Sequence, residues 1–366
     1  MTEWLHFVQQ QLSGGACAAE ASHQPLVGSY GNLDAEYRAL SDGPALVDRS
    51  YRGLLEITGA DRASWLHNLT TNEVKNLLPG QGNYAFACNA QGRILFDVNI
   101  VVRADSIWVD LDRAYLDFAR AHFDKYIIIE DVVVGDRSDD FVRLGLVGEG
   151  AKAMLTEFGV EHASSMPRLG IAGITWEDCS IPVMRHDFCG PFGVELFVPS
   201  ARAVELWRAL SDTSRRQCAV PAGYDAVQIR RIEAGVPWPH REITDEYLPA
   251  ETGQFDRAVS FTKGCYLGQE VIERMRTRGV EARQLVGLQV EGDAIPPGGA
   301  VLIADDDRTV GQVTSSCRSL ATGGVIAMGY VKTPSTAAET SLRVDWEDRS
   351  AGAIIIRLPL TSGSTN

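Results

Sequence analysis

The residues best suited to chemistry form the octet Lys-Gly-Cys-Tyr-Leu-Gly-Gln-Glu at positions 263–270. One thiol, Cys265, lies between two glycines, two residues after Lys263 and just before a segment of helical character. Glycines allow a tight turn and close approach of a ligand to the backbone, while a lysine and a helix N-terminus favour thiolate over thiol. We therefore interpret Cys265 as a reactive thiol. The alternative is a small residue filling a tight turn, because buried cysteines behave mainly as small hydrophobic residues.

The elements that must position such a site begin with a strand and helix pattern. Apolar periodicity and capping residues predict two helices, one ending at Leu69 and one starting at Asp112. The strands are predicted at Leu54–Thr58, Asn83–Cys88, Arg93–Val102, Ser106–Leu111 and Asp131–Val134. Asn89–Gly92 is expected to form a hairpin turn with Gly92 at positive φ. This order predicts a split βαβ, ferredoxin-like unit.

A second unit of similar content follows, although no sequence repeat marks a duplication. Its predicted strands are Val142–Val147, Ile171–Trp176, Val183–His186 and Val194–Val198, and its predicted helices are Ala151–Phe158 and Ala201–Leu210. We expect two α+β sheets in residues 45–280, as sub-domains of about 45–140 and 141–280.

The two ends of the chain differ in character from this region. Residues 1–44 are predicted to be a helical lead, with helices at Trp4–Leu12 and near Ala35–Leu40. After Arg283, short β-like runs separated by Gly, Pro and Asp clusters predict a small β-barrel over residues 281–366, with a frayed tail at Thr361–Asn366. The runs are Leu285–Val290, Ala300–Ile303, Val310–Val313, Val325–Tyr330 and Leu342–Val344.

Composition excludes several classes of protein. The chain has 366 residues, of which 45% are hydrophobic, enough to bury substantial cores in two or three domains. Its apolar runs are too short to cross a membrane, and its beginning shows no signal or transit pattern, so we expect a cytoplasmic location. A net charge of −14 disfavours a broad nucleic-acid surface, and no direct nucleic-acid contact is expected.

The cysteines do not indicate a structural disulfide or zinc framework. There are seven, an odd number, and no CxxC pair. Cys179, His186 and Cys189 are close enough in sequence to consider a metal site, but a fourth ligand is not evident, so core or surface thiols are favoured and no metal is expected.

Several segments together resemble a known family. The octet is similar to the signature of YgfZ-type folate-binding proteins, relatives of the glycine-cleavage T-protein (aminomethyltransferase) that support iron–sulfur proteins. Other segments match T-protein motifs in the family's order, and the similarity spans roughly Ala45 to Val344. These segments are Gly193–Leu196, Arg231–Gly235, Gly311–Ser315 and Ile326–Val331. The resemblance implies a T-protein-like folate-binding α+β fold followed by a C-terminal β-barrel.

The resemblance also implies a tetrahydrofolate site. Glu195 and Arg231 match the T-protein residues that contact folate, and we expect Lys263 and Tyr266 of the octet to contribute. A carboxylate can accept the N–C–N donor edge of a reduced pterin, and an arginine can bind the carboxylates of a folate tail. The alternative, without a role in ligand binding, is that Glu195 is an exposed strand residue and that Arg231 forms a surface ion pair with Glu233 or Glu270.

The family's catalytic aspartate lies in an Asp-Asp pair on the strand after the hairpin. The corresponding pair here is Phe96-Asp97, so one carboxylate is retained, and the pattern leaves open which face of the strand Asp97 occupies. The family's Gly-Tyr-Thr-Gly-Glu loop is replaced by Phe188–Phe192.

A cationic cluster follows the octet and has two interpretations. It comprises Arg274, Arg276, Arg278 and Arg283. The first interpretation is the solvated face of a helix, and the second is a clamp for the glutamate tail of a folate.

The resulting hypothesis is a tetrahydrofolate-binding protein, taking the folate itself or a one-carbon derivative. It would assist assembly or repair of iron–sulfur clusters in client enzymes, including tRNA-modifying enzymes, with Cys265 as the required thiol. The alternative is a folate-dependent aminomethyltransferase or demethylase that uses Asp97 as its catalytic carboxylate.

Overall fold

The computed structural model describes residues 1–18, 25–160, 163–214, 217–278 and 282–360. Thr361–Asn366, predicted to be frayed, and the predicted boundary at residues 280 and 281 lie outside the described residues. The chain divides into two units. The first unit comprises residues 1–85 and 98–227, and the second comprises residues 86–97 and 228–366.

The described elements alternate between strands and helices until the last part of the chain, which is almost entirely β. The helices are α1 Thr2–Ser13, α2 Leu33–Ala39, α3 Arg62–Leu69, α4 Leu116–Asp124, α5 Glu149–Glu157, α6 Ala203–Ser211, α7 Tyr224–Glu233, α8 Phe255–Ala258 and α9 Gln269–Arg278. The strands are β1 Cys17–Ala18, β2 Val27–Ser29, β3 Ala45–Asp48, β4 Arg52–Thr58, β5 Gly82–Cys88, β6 Ile94–Val102, β7 Ile107–Asp112, β8 Val133–Asp136, β9 Phe141–Val147, β10 Ile171–Trp176, β11 Cys179–Arg185, β12 Gly193–Pro199, β13 Val220–Ala222, β14 Arg283–Val290, β15 Val301–Ile303, β16 Thr309–Arg318, β17 Val325–Lys332, β18 Ser341–Trp346 and β19 Arg349–Ile356.

The five-stranded sheet has the order β5-β6-β7-β4-β8. Strand β7 is antiparallel to both β4 and β6, so β4 and β6 run parallel with β7 between them. This confirms the split βαβ arrangement, with β5 as an extra strand at the edge. Gly92 in the turn between β5 and β6 has φ 72°, as predicted.

The six-stranded sheet has the order β10-β11-β12-β9-β3-β13. Strands β9 to β12 were predicted from their apolar runs. Strands β3 and β13 were missed, because four and three residues are too short to show a period. Strand β3 pairs antiparallel with β9 and parallel with β13, so residues near position 45 complete a sheet whose other strands come much later in the chain.

Helix α1 packs into the core of the first unit. Its Trp4 is fully buried, and the rings of Trp4 and Trp207 lie 5.4 Å apart in an edge-on arrangement. The Trp4 indole N–H donates to Asp48, 3.3 Å away, and the Ser50 backbone N–H donates to the same carboxylate at 2.8 Å. Burial raises the pKa of Asp48 to about 6 because desolvation outweighs these hydrogen bonds.

The C-terminal part of the chain forms a closed barrel of six strands in the order β14-β17-β16-β15-β18-β19. Inward-facing aliphatic side chains, among them Leu288, Val313 and Val344, fill its interior. Five of these strands were predicted. The sixth, Arg349–Ile356, was not predicted as a strand. The predicted fold class, α+β followed by a small β-barrel, is therefore confirmed.

The segment after β19 is bound to the second unit. Leu358 lies against Gly235 and Gly287, where an added Cβ would approach Leu358 carbons within 2.7 and 2.6 Å. The Leu360 N–H donates to the carbonyl of Glu233 at 2.8 Å. Within the part of the chain that the structure describes, no helix is long and apolar enough to span a membrane.

Candidate functional site

The first unit contains a buried cluster of charged side chains that links the five-stranded sheet to the six-stranded sheet. Charged groups are rarely buried unless they are paired, so each member of this cluster must have partners that compensate for the loss of hydration. We call it the charge cluster. Its members are Arg49, Arg52, Asp110, Arg143, His186 and Glu195.

Glu195 on β12 lies at the centre of the charge cluster and is fully buried. Arg49 Nη2 donates to its Oε1 at 2.8 Å, His186 Nδ1 lies 2.5 Å from the same oxygen, and Arg143 donates to its Oε2. Burial alone would raise the pKa of Glu195, but Arg143 and Arg49 hold it well below its usual value. The carboxylate is therefore ionised, and the interpretation of Glu195 as an exposed strand residue is wrong.

Asp110 on β7 is the second carboxylate of the charge cluster. Arg52 binds both of its oxygens, at 3.2 and 2.7 Å, Arg143 donates at 2.9 Å, and Asn99 donates at 2.7 Å. Burial opposes ionisation, yet the two guanidinium groups lower the pKa of Asp110. Arg143 thus connects Asp110 to Glu195, and the three arginines exceed the two carboxylates by one positive charge.

Aromatic side chains cover the guanidinium groups. The Arg49 guanidinium carbon lies 3.7 Å from the centre of the Phe188 ring, and that of Arg143 lies 3.7 Å from the Phe197 ring. Gly145, opposite Glu195 on β9, provides the necessary room: a Cβ there would lie 2.9 Å from Phe188. Phe188, from the loop Phe188–Phe192, therefore covers the Arg49 side of the charge cluster.

A metal ion does not fit the charge cluster. Asp110, His186 and Glu195 offer donor atoms within 4.8 Å of one another. However, buried guanidinium groups already bind both carboxylates and would repel a cation. Among the described residues, this donor group contains His186 but neither Cys179 nor Cys189.

The octet at 263–270 places its thiol outward and its tyrosine inward. Cys265 is exposed, whereas Tyr266 and Lys263 are 7% exposed. The interpretation of Cys265 as a buried filler is therefore wrong. Lys263 Nζ lies 5.0 Å from the centre of the Tyr266 ring. Burial raises the pKa of the Tyr266 phenol, and within the described part of the chain its hydroxyl has no hydrogen-bond partner.

Two glycines fit the octet against the hairpin turn. Gly268 has φ 84°, and a Cβ there would lie 2.6 Å from the carbonyl oxygen of Asn89. A Cβ at Gly92 would lie 3.1 Å from Val271 on α9. This close packing holds the thiol-bearing loop in a defined position, and α9 begins immediately afterwards at Gln269.

Arg231 in the second unit is 1% exposed and forms a buried network of its own. It donates to Glu242 at 3.0 Å, to Ser315 at 2.7 Å and to Gln228 at 2.7 Å. The alternative of a surface ion pair with Glu233 or Glu270 is therefore wrong. The expected contact with a folate carboxylate stays a prediction, and it would require Arg231 to exchange some of these partners.

Asp97 is buried on β6 next to Phe96, a core residue. Side chains two residues apart on a strand share a face, so Asp97 lies on the face of Asn99, opposite to Phe96. This answers the question that the sequence pattern left open. The catalytic role of Asp97 stays a prediction.

The cationic cluster after the octet is largely neutralised. Arg274 pairs with Glu270, Arg276 lies 3.9 Å from Glu273, and Arg283 lies 3.3 Å from Glu251. The side chain of Arg278 lies outside the described residues. These pairs favour a solvated helix face over a clamp for an anionic tail.

Comparison with protein-family models assigns both parts of the chain. Residues 7–263 match the GCVT N-terminal domain, and residues 283–361 match the glycine cleavage T-protein C-terminal barrel domain. The chain belongs to the glycine cleavage T-protein family.

Relatives in the T-protein family match most of the chain. An aminomethyltransferase of Rubrobacter xylanophilus is 30% identical over 330 residues, covering 90% of this chain and 86% of the relative. An aminomethyltransferase of Geobacillus kaustophilus is 26% identical over 353 residues, 94% of each chain. The crystal structure of the glycine cleavage system aminomethyltransferase T of Bartonella henselae superimposes with a TM-score of 0.87 over 97% of each chain at 21% identity. That likeness shows the T-protein fold.

Family membership and structure together show what sequence reasoning found and missed. Lys263, Cys265 and Tyr266 share one loop, while Glu195 and Arg231 each lie in a separate buried network. The partners of Glu195 were missed: Arg49, Arg143 and His186. The sequence did indicate that Arg143 has a buried partner, because this arginine interrupts an apolar β-strand run, where an unpaired charge would be costly. The T-protein resemblance is confirmed, and the closer resemblance to YgfZ-type proteins stays a prediction.

Proposed function

We propose that this protein binds tetrahydrofolate or a one-carbon derivative of it through Glu195. The observation that carries the proposal is the fully buried carboxylate of Glu195, held ionised by Arg49 and Arg143. An ionised carboxylate accepts hydrogen bonds only, and the N–C–N edge of a reduced pterin donates two. Membership of the T-protein family supports this ligand class.

Isothermal titration of tetrahydrofolate into the purified protein tests the proposal. We expect heat and a single site for the wild type, and binding at least about 10-fold weaker for Glu195→Gln, since an amide presents only one acceptor oxygen. Circular dichroism and thermal unfolding of the variant report whether it is folded. p-Aminobenzoylglutamate, which lacks the pterin, is the matched control ligand and should bind weakly to both proteins. Absence of heat with wild type at high micromolar ligand would end the folate proposal.

We further propose that the protein assists assembly or repair of iron–sulfur clusters in client enzymes, including tRNA-modifying ones, through Cys265. The thiol is exposed, and its loop is held against the hairpin turn by Gly92 and Gly268. An exposed thiol on a fixed loop is accessible to a partner or a reactive intermediate. The octet's similarity to the YgfZ signature supports this role.

Complementation of a strain that lacks its YgfZ-like gene tests the role of the thiol. Wild type and Cys17→Ser should restore the activity of iron–sulfur enzymes, while Cys265→Ser should not. Cys17 is the matched control because it is also an exposed, free cysteine. Equal rescue by both variants would remove the Cys265 thiol from the mechanism.

A second candidate function is folate-dependent aminomethyl transfer, favoured by the name shared by the curated relatives, aminomethyltransferase. Asp97, buried on β6, is the carboxylate at the matching position. Asp97→Asn and Cys265→Ser should be compared in an aminomethyl-transfer assay. If Asp97→Asn abolished transfer while Cys265→Ser retained it, folate-dependent aminomethyl transfer would replace the iron–sulfur proposal.

A further inference from the structure

The hydrogen-bonding capacity of Glu195 limits what can bind to it. A carboxylate has about four lone-pair sites, two on each oxygen. Arg49 and His186 occupy both sites of Oε1, and Arg143 occupies one site of Oε2. A ligand edge with two donors needs one free site on each oxygen. Oε2 has such a site, and Oε1 gains one only when Arg49 or His186 leaves.

His186 is the neighbour that can leave. The side chains of Arg49 and Arg143 are each 2% exposed, whereas that of His186 is 19% exposed. Removing a buried guanidinium from its carboxylate leaves an uncompensated buried charge, and both arginines are also stacked on aromatic rings. An imidazole can instead rotate towards solvent, where water replaces its hydrogen bond.

We propose that His186 covers the ligand-facing edge of Glu195 and turns away when the donor edge of a pterin docks there. His186 is then a specificity-determining residue that lowers the affinity for ligands unable to displace it. This inference rests on the proposed folate binding and names the contact that folate must break. His186 competes with the ligand for Oε1 and is not itself a folate ligand.

The charges around His186 predict that ligand binding is coupled to proton uptake. Because an ionised carboxylate only accepts, Nδ1 of His186 carries the hydrogen in this contact. The groups that face the imidazole are Glu195, Arg49 and Asp110. Burial lowers the pKa of His186 despite the neighbouring carboxylates. Released to solvent, the imidazole regains its ordinary pKa, so binding near pH 6.5 takes up to about half a proton.

Calorimetry with 5-formyltetrahydrofolate, a stable reduced folate, tests the inference in the full-length chain. His186→Ala should bind about 10-fold more tightly than wild type, since the ligand no longer displaces a hydrogen bond to a charged acceptor. His186→Gln keeps a donor that can reach Glu195 and should bind like wild type. His6→Ala, a change of an exposed histidine on α1, is the matched control.

A second readout separates competition from a structural role. Titrations at pH 6.5 in two buffers of different ionisation enthalpy should show proton uptake for wild type and none for His186→Ala. Equal or weaker binding by His186→Ala in a folded variant, or equal proton uptake in both proteins, would overturn the inference while leaving folate binding intact. Absence of binding by wild type and all variants would instead refute the proposed function and the inference with it.

Discussion

Replacement of Asp48 by asparagine should change how stability depends on pH. The carboxyl group is buried beneath α1, and its hydrogen-bond donors are the Trp4 indole and the Ser50 backbone, both neutral. Its pKa is about 6 in the folded protein against an ordinary 3.8. The protonated form is therefore favoured in the folded state, and the resulting stability is fully present below about pH 4 and lost as the pH rises through 6.

The size of the Asp48 effect follows from the same pKa values. Each pKa unit of difference between folded and unfolded states is worth about 1.36 kcal/mol, so ionisation of Asp48 costs about 3 kcal/mol at pH 8. An asparagine at this position carries no charge, but it has only one acceptor oxygen. Because the two donors bind different carboxylate oxygens, one of them would lose its hydrogen bond. Asp48→Asn should therefore be about 1–3 kcal/mol less stable than wild type at pH 4, because one donor is left unpaired. Between pH 4 and pH 8 its stability relative to wild type should rise by about 3 kcal/mol.

Urea unfolding at pH 4, 6 and 8 measures this difference from the transition midpoints and slopes. The control is Asp105→Asn, which removes an exposed carboxylate from the same unit and changes the net charge by the same amount. A constant difference between Asp48→Asn and wild type across this range would show that Asp48 is ionised at little cost, and would refute the reasoning from burial.

Three further outcomes are expected. Arg143→Met leaves the buried Glu195 with one fewer cation and should lower the free energy of unfolding by roughly 3–5 kcal/mol in urea titrations, whereas a loss below about 1 kcal/mol would contradict the burial of these ion pairs. Gly268→Ala places a side chain at positive φ within 2.6 Å of a carbonyl oxygen. The substitution should lower the free energy of unfolding by about 1–3 kcal/mol, measured as a lower thermal midpoint. Iodoacetamide should alkylate Cys265 in the native protein and spare the buried Cys88, as read by peptide mass spectrometry; equal labelling of both would contradict their assigned exposure.

The sequence predicted the fold well where elements are long and periodic. Strands such as Phe141–Val147 and helices such as Ala203–Ser211 carry enough apolar residues to define a face. Strands β3 and β13 were not predictable in this way, because they are stabilised by pairing with β9 and with each other rather than by their own pattern.

The candidate site was predicted less completely than the fold. Motifs identified Glu195 and Cys265, whose residue types and neighbours have chemical meaning on their own. The partners of Glu195 come from positions 49, 143 and 186, which only tertiary structure brings together. A guanidinium in an apolar strand signals that some partner must exist, because an unpaired buried charge is costly, but not which one.

The contact of Leu358 with Gly235 and Gly287 matters for the design of shortened proteins. Cutting the chain back to Ile356 would uncover the two glycines and leave the carbonyl of Glu233 without the amide of Leu360. The end of α7, two residues beyond Arg231, would then lose this packing and this hydrogen bond. A protein truncated after the last barrel strand would therefore be less stable next to α7, the helix that carries Arg231. C-terminal fusions should be joined beyond Leu360.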